Sequence, residues 1–229
     1  MSRTHRLLSL RPPAWFAWGA VAVTLAIGLF GVPPDRTMGD VFRIIYIHVP
    51  IIWLGFLAFF VTMVASALYL RRADLRFDRV AAASAEIGLL FTGLTIVTGS
   101  IWGKATWGVW WTFDPRLTTT AILFVIYLGY VLLRASLVER VRRARLSAVL
   151  GIVGFADVPI VHFSVLWWSG LHQAPSVLRP GDPTIDDWFL WVLMANVFAF
   201  TLLYVWLLHR RVALEATRDA AERLLEGGA

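Results

Sequence analysis

Residues 50–70 read PIIWLGFLAFFVTMVASALYL, an apolar run without a charged residue that ends at Arg71 and Arg72. About 20 mostly apolar residues are enough for a helix to cross the hydrocarbon core of a bilayer. Five further stretches follow the same rule, at residues 15–32, 84–103, 117–137, 147–168 and 187–208. The sequence therefore predicts an all-α integral membrane protein with six transmembrane helices.

The composition leaves little room for anything besides these spans. Of the 229 residues, 59% are hydrophobic and only 16% are charged. Because neither a repeat nor a low-complexity linker divides the chain, we expect a single membrane domain over residues 1–229. Residues 31–35, GVPPD, offer no small-residue cleavage site, so we expect the first helix to stay uncleaved. The absence of cysteine excludes disulfides, thiolate metal ligands and a catalytic thiol.

The basic residues indicate how the helices are oriented. The net charge of +6 is spread between the spans rather than over one basic face, so we expect no nucleic-acid partner. When alternate loops are assigned to the two sides, most of the 21 arginine and lysine residues fall on one side, which the positive-inside rule makes cytoplasmic. They are Arg3, Arg6, Arg11, Arg71, Arg72, Arg76, Arg79, Arg134, Arg140, Arg142, Arg143, Arg145, Arg210, Arg211, Arg218 and Arg223. Both termini are then cytoplasmic, and residues 33–49, 104–116 and 169–186 lie outside.

The second outer segment is unusually rich in tryptophan. Residues 100–119 read SIWGKATWGVWWTFDPRLTT and contain Trp102, Trp107, Trp110 and Trp111. Tryptophan is enriched at membrane interfaces, and an aromatic belt accounts for one or two residues at a helix end. Four so close together favour a flat aromatic platform against which a planar ligand can lie.

The residues that flank this segment indicate a helix start and a helix contact. Asp114 and Pro115 are typical of the N-cap and first position of a helix, which would attach the tryptophan segment to the fourth span. Arg116 beside an aromatic face suits a ligand carboxylate, but pairing with Asp114 or with a lipid phosphate is an equally good interpretation. The spacing of Gly99 and Gly103 fits a helix-packing motif at the outer end of the third span.

Two histidines flank the tryptophan segment on the predicted outer side. His48 lies at the start of the second span, and His172 follows the fifth. Each alone is consistent with an ordinary interfacial histidine, but two on one side favour a metal site in which both imidazoles bind one iron. Asp157 and His162 lie inside the fifth span, where ionisable groups are rare. Either a proton relay or hydrogen bonds to neighbouring helices would explain them.

Three outer motifs together carry a resemblance to a known family. They are YIHVPIIW at residues 46–53, WGKATWGVWWTFDPRLTT at 102–119 and HFSVLWWSGLHQ at 162–173. In this order and on one predicted side, they resemble the CcmC family, haem-handling proteins of bacterial cytochrome c maturation that carry a Trp-Trp-Asp loop. The resemblance covers essentially the whole chain, and the three motifs together are very specific.

The resemblance implies a function for each motif. Proteins of this family bind haem non-covalently at the periplasmic face of the bacterial cytoplasmic membrane and deliver it to a periplasmic haem chaperone for c-type cytochrome biogenesis. The axial ligands of the iron match His48 and His172, and the tryptophan-rich loop matches the segment from Trp107 to Asp114. Phe113 stands where relatives usually have tryptophan, so that the loop loses one indole N–H. The implied partners are the ATPase and membrane subunits of an ABC transporter, a small single-span subunit and the chaperone.

The residues and the resemblance together predict one haem site. We expect His48 and His172 to bind the iron, with one face of the ring against the tryptophans Trp107, Trp110 and Trp111. Arg116 is expected to bind a propionate, with Arg43 and Lys104 behind it. Contact with membrane lipid is expected around the whole domain.

Such a site holds haem without a catalytic group of its own, so we expect no enzyme activity. Three alternatives remain open. One is an enzyme that attaches haem to apocytochrome c, although such proteins are expected to be larger and richer in histidine. Another is a transmembrane haem channel that uses Asp157 and His162. The third is a scaffold that anchors an ATPase.

Overall fold

The computed structural model describes residues 13–177, 179 and 181–227, and these residues form seven α-helices joined by loops. The helices are α1 (Ala14–Ala26), α2 (Ile45–Arg72), α3 (Leu75–Trp107), α4 (Pro115–Ser136), α5 (Arg140–Phe155), α6 (Asp157–Trp167) and α7 (Asp187–Gly227). A π-helical turn, Ile27–Gly31, extends α1, and a short 3-10 helix, Asp40–Ile44, precedes α2. The predicted basic residues Arg3, Arg6 and Arg11 lie outside the described residues.

Six helical stretches of the described chain are long and apolar enough to cross a membrane. They are Ala14–Gly31, Asp40–Arg72, Leu75–Trp107, Pro115–Ser136, Arg140–Trp167 and Asp187–Arg218. The prediction of an all-helical protein with six long apolar helices is therefore confirmed. The fifth stretch is interrupted between α5 and α6, because Pro159 has no N–H group to donate to the carbonyl of Phe155, where α5 ends.

Local signals in the sequence set several helix ends. The Asp74 carboxylate accepts the Arg76 N–H at 2.8 Å and caps α3. The same helix ends before Gly108, whose φ of +79° lies in the left-handed region that glycine adopts without strain. Asp114 caps α4 by accepting the Arg116 N–H at 3.0 Å. The predicted helix start at Asp114 is therefore confirmed.

The helices pack around a central antiparallel pair, α2 and α3. α7 packs on this pair together with α1, while α4 and α5 cover another side. The ring of Phe59 in α2 lies directly over Gly88 in α3, where no Cβ would fit, and stacks on Tyr127 of α4 at 3.5 Å between ring centroids. Side chains also bond between helices, since the Ser84 and Tyr204 hydroxyls lie 2.8 Å apart. Such contacts hold helices together where lipid replaces water.

The two ends of this bundle differ in chemistry. At one end the Arg134 guanidinium binds both oxygens of Asp78, at 2.6 and 3.1 Å, and Arg211 binds Glu86. At the other end, the start of α2, the end of α3, the start of α4 and the end of α6 come together. The predicted outer motifs therefore meet at one end of the bundle, opposite the arginine-rich end.

Candidate functional site

A cavity of about 360 Å³ opens at the end of the bundle where the motifs meet. This volume lies within the range of roughly 300 to 1,000 Å³ that is usual for small-molecule and cofactor sites. Side chains from α2, α3, α4, α6 and the segment after α6 contribute to its wall. Among them are His48, Trp102, Trp107, Arg116, His162 and His172. Four of the predicted site residues, His48, Trp107, Arg116 and His172, therefore line one cavity.

The hydrogen bonds of Thr98 define which nitrogen of His48 carries the proton. The Nδ1 atom of His48 lies 2.9 Å from the Thr98 hydroxyl oxygen, which in turn lies 2.9 Å from the Leu94 carbonyl oxygen. A hydroxyl group has one proton to donate. When Thr98 donates its one proton to the Leu94 carbonyl, which can only accept, its oxygen is left to accept from the Nδ1–H of His48. The Nε2 atom of His48 consequently keeps its lone pair.

Two neighbours on α3 hold the His48 ring in place. A Cβ added at Gly99 would lie 3.1 Å from the His48 Cε1 atom, so the imidazole rests against the bare backbone there. Trp102 packs on the ring edge to face, with 5.6 Å between centroids. A Cβ added at Gly103 would lie 3.2 Å from the nearest atom of the Trp107 ring. Both glycines of the predicted packing motif thus accommodate rings that border the cavity.

His172 is bonded in a parallel way, but to a carboxylate. Its Nδ1 atom lies 2.8 Å from the Asp114 Oδ1 atom. An ionised carboxylate only accepts, so His172 Nδ1–H donates and the Nε2 lone pair is again free. Trp107 packs edge to face on the ring, with 4.7 Å between centroids. A carboxylate in this position fixes the orientation of an imidazole and makes it a stronger metal ligand.

The protonation states of this pair follow from its surroundings. Burial lowers the pKa of the His172 imidazole below its ordinary value, although the Asp114 carboxylate acts in the opposite direction. Burial acts to raise the pKa of Asp114, but the nearby His172 ring and the backbone N–H groups lower it overall. Near neutral pH, a neutral imidazole therefore donates to an ionised carboxylate, and the Nε2 atom of His172 is free of a proton.

Asp114 connects α4 to the segment that follows α6. Besides the cap of α4 and the bond to the imidazole, its Oδ2 atom accepts the Leu171 N–H at 2.6 Å and the His172 N–H at 3.3 Å. A Cβ at Gly170 would overlap this carboxylate, so only glycine fits at this position. Only 5% of Asp114 is exposed, and it lies behind His172 rather than in the cavity wall.

Arg116 is the cation of the cavity wall among the described residues. Its Nη2 group donates to the His162 carbonyl oxygen at 3.2 Å, which ties the first turn of α4 to α6. The two cations that were expected behind it are bonded elsewhere. Arg43 donates to the Val32 carbonyl oxygen at 2.9 Å, and the Lys104 ammonium donates to the Gly108 carbonyl oxygen at 2.8 Å.

The structure does not bring Trp110 and Trp111 to the cavity. They follow the helix end at Gly108, on the loop between α3 and α4, and are 60% and 36% exposed. Phe113, which stands where a tryptophan was expected from the family resemblance, is 87% exposed. The loss of an indole N–H at this position therefore changes the outer surface of the loop. Of the three tryptophans predicted to lie against haem, Trp107 alone lines the described cavity wall.

Three residues near the cavity were not among those predicted to contact haem. Trp102 was predicted only as a member of the tryptophan cluster. In the described structure it lines the cavity, and its indole N–H is buried without a hydrogen-bond partner. His162, which the sequence singled out only as an ionisable group inside the fifth span, also lines the wall. Thr98 lies four residues before Trp102, one helical turn away, so both residues lie on the same face of α3 and contact His48. This spacing is the one signal in the sequence that relates them.

Comparisons with known proteins find relatives over nearly the whole chain. The family model of heme exporter protein C (CcmC) matches residues 4–225. Heme exporter protein C of Bradyrhizobium diazoefficiens is 42% identical over 201 residues, which cover 86% of this chain and 76% of the relative. The Haemophilus influenzae protein of the same name is 38% identical over 208 residues, with 89% and 82% covered.

A mitochondrial relative is nearly as similar. A ccmC-like mitochondrial protein of cytochrome c biosynthesis from Arabidopsis thaliana is 35% identical over 203 residues, which cover 89% of this chain and 76% of the relative. The full-length family match and the identity to several relatives show the family directly. This chain belongs to the CcmC family of heme exporter protein C.

Proposed function

We propose that this protein binds haem between His48 and His172 and delivers it to a haem chaperone for the assembly of c-type cytochromes. The observation that carries this proposal is that two imidazoles, from two separate elements, line one cavity with their Nδ1 atoms engaged in hydrogen bonds. Each imidazole then has its Nε2 atom left to act as a ligand. An iron in a porphyrin needs only two further ligands. Neutral imidazole is a common ligand for it.

The other wall residues suit the remainder of a haem molecule. Trp102 and Trp107 supply aromatic surface beside the two imidazoles, and such contacts contribute about 0.5 to 1.5 kcal/mol each beyond burial. The Arg116 guanidinium, fixed by the His162 carbonyl, is positioned to bind a propionate carboxylate. Asp114 acts through His172 and not by touching haem. Contact of Trp110 and Trp111 with haem requires the loop to fold over the opening.

The proposed orientation places the cavity on the periplasmic side. The opposite end of the bundle carries the arginine-rich loops, and the positive-inside rule assigns that end to the cytoplasm. Both termini are then cytoplasmic, and residues 1–229 form one membrane domain in the cytoplasmic membrane of a bacterium. Haem held at this height, near the membrane surface, is accessible to a periplasmic carrier.

We propose a holding site that is not an enzyme. The wall of the described cavity presents imidazoles, a guanidinium and aromatic rings, and the one nearby carboxylate, Asp114, is committed to four N–H donors. Transfer then requires the chaperone to compete for the iron or for the exposed ring edge. The remaining proposed partners are an ABC transporter's ATPase and membrane subunits and a small single-span subunit.

Spectroscopy of the purified protein tests this function. Protein supplied with haem is expected to show the absorption of low-spin haem, and His48→Ala and His172→Ala are each expected to weaken it because each removes one axial ligand. His209→Ala is the matched control, since His209 lies at the arginine-rich end of the bundle. Unchanged spectra in both cavity variants would show that the ligand assignment is wrong.

A further inference from the structure

We infer that Thr98 positions His48 as an iron ligand, and that the two imidazoles hold the iron unequally, so that His48 is released first when haem is handed on. This inference rests on the proposed function, because it assumes that both histidines bind the iron. Beyond that function, His48 is specified as the ligand that leaves the iron first, and Thr98 as the residue that positions it.

The two imidazoles differ in their hydrogen-bond acceptors. His172 donates to a carboxylate at 2.8 Å, whereas His48 donates to a neutral hydroxyl at 2.9 Å. A hydrogen bond to an ionised acceptor is roughly twice as strong as one between neutral groups. It also pushes electron density into the ring, which strengthens the bond from Nε2 to a metal. His172 is therefore the stronger ligand.

The two acceptors also differ in how firmly the surrounding structure holds them. The Asp114 side chain is almost fully buried and accepts N–H groups from α4 and from the His172 backbone itself. The imidazole and its anchor therefore move as one unit. Thr98 belongs to α3, whereas His48 belongs to α2, and the anchor is a single side-chain bond between two helices. A small displacement of α2 relative to α3 is enough to lengthen it.

Thr98 also affects which nitrogen of His48 carries the proton. Thr98 is oriented by its own bond to the Leu94 carbonyl, so it is an acceptor toward His48 and keeps the proton on Nδ1. Without that acceptor, the imidazole gains the freedom to carry its proton on Nε2 or to rotate about its side-chain bonds. Both changes remove the Nε2 lone pair from the cavity for part of the time. Thr98 thus acts on the iron only through His48.

Thr98→Val tests the inference, because valine keeps the shape of threonine and removes the hydroxyl. The full-length protein would be loaded with haem, reduced with dithionite and mixed with carbon monoxide, whose binding rate reports how fast the weaker imidazole leaves the iron. We expect this rate to rise about tenfold in Thr98→Val, in line with the effect of losing a partner of a metal ligand. Thr98→Ser, which restores the hydroxyl, should return to the wild-type rate.

The comparison with Asp114→Asn tests the order of release. If His48 leaves first, weakening the anchor of His172 changes the carbon monoxide rate less than Thr98→Val does. A larger acceleration in Asp114→Asn than in Thr98→Val would overturn the order, and an unchanged rate in Thr98→Val would overturn the role of Thr98. Failure of the wild-type protein to hold low-spin haem would instead overturn the proposed function and the inference with it.

Discussion

At the scale of single residues, Asp114 has two roles that are usually separate. Its carboxylate caps α4, as the Asp-Pro sequence predicts, and it also fixes the imidazole of His172. The first role was predictable because helix starts are local. The second was not, since the partners at 171 and 172 are more than fifty residues away and Gly170 must leave room for the carboxylate.

Replacement of Asp114 separates these two roles. Asn retains an oxygen that caps α4, but its amide nitrogen replaces the oxygen that accepts the backbone N–H groups of Leu171 and His172. Asp114→Asn is therefore expected to keep the α4 cap, to loosen the segment that carries His172 and to bind haem about 10- to 100-fold more weakly. Asp114→Ala should lose, in addition, about 1 kcal/mol of stability with the cap. Haem titration and thermal unfolding measure the two effects.

Asp74→Asn is the matched control, because Asp74 caps α3 at the arginine-rich end, far from the cavity. It is expected to leave haem affinity unchanged. If Asp114→Asn binds haem as tightly as the wild type, the carboxylate is a helix cap and nothing more.

At the scale of elements, the end of α3 decides which tryptophans border the cavity. Helical geometry continues to Trp107, so Trp102 and Trp107 lie on a fixed helix face, whereas Trp110 and Trp111 follow the left-handed turn at Gly108. Composition alone predicted a platform from the tryptophan cluster and named Trp110 and Trp111 as part of it. It could not fix the helix end, because apolar aromatic residues fit a helix and an interfacial loop equally well.

The two groups of tryptophans should behave differently when they are removed. Trp107→Ala is expected to weaken haem binding about fivefold, since the lost aromatic contact is worth about 1 kcal/mol. The double variant Trp110→Ala, Trp111→Ala should bind haem nearly as the wild type does and transfer it to the chaperone more slowly. Haem titration together with a transfer assay distinguishes these results, and a strong loss of haem in the double variant would show that the loop covers the ring.

At the scale of the whole molecule, hydropathy predicted the six long apolar helices, because the membrane requires them. The convergence of four helix ends on one cavity follows from packing that no single segment encodes. His48 contacts Thr98, which is fifty residues away in the sequence, and Arg116 bonds to the carbonyl of His162, which is forty-six residues away. The orientation of the bundle in the membrane stays a prediction from the charge distribution.

The absence of native cysteine makes that orientation directly measurable. Thr37→Cys lies in the loop at the cavity end, and Ser136→Cys lies at the exposed last residue of α4, at the arginine-rich end. A membrane-impermeant maleimide is expected to label the first in spheroplasts and the second only after the cytoplasmic membrane is opened. The reverse pattern would place the cavity in the cytoplasm.

Electron paramagnetic resonance of the ferric haem-loaded protein shows whether His48 and His172 bind one iron from opposite sides. The wild type and His209→Ala are expected to give the low-spin signal of bis-imidazole haem. His48→Ala and His172→Ala are each expected to shift toward a high-spin signal. A low-spin signal that survives unchanged in both cavity variants would rule out binding of the iron by these two histidines.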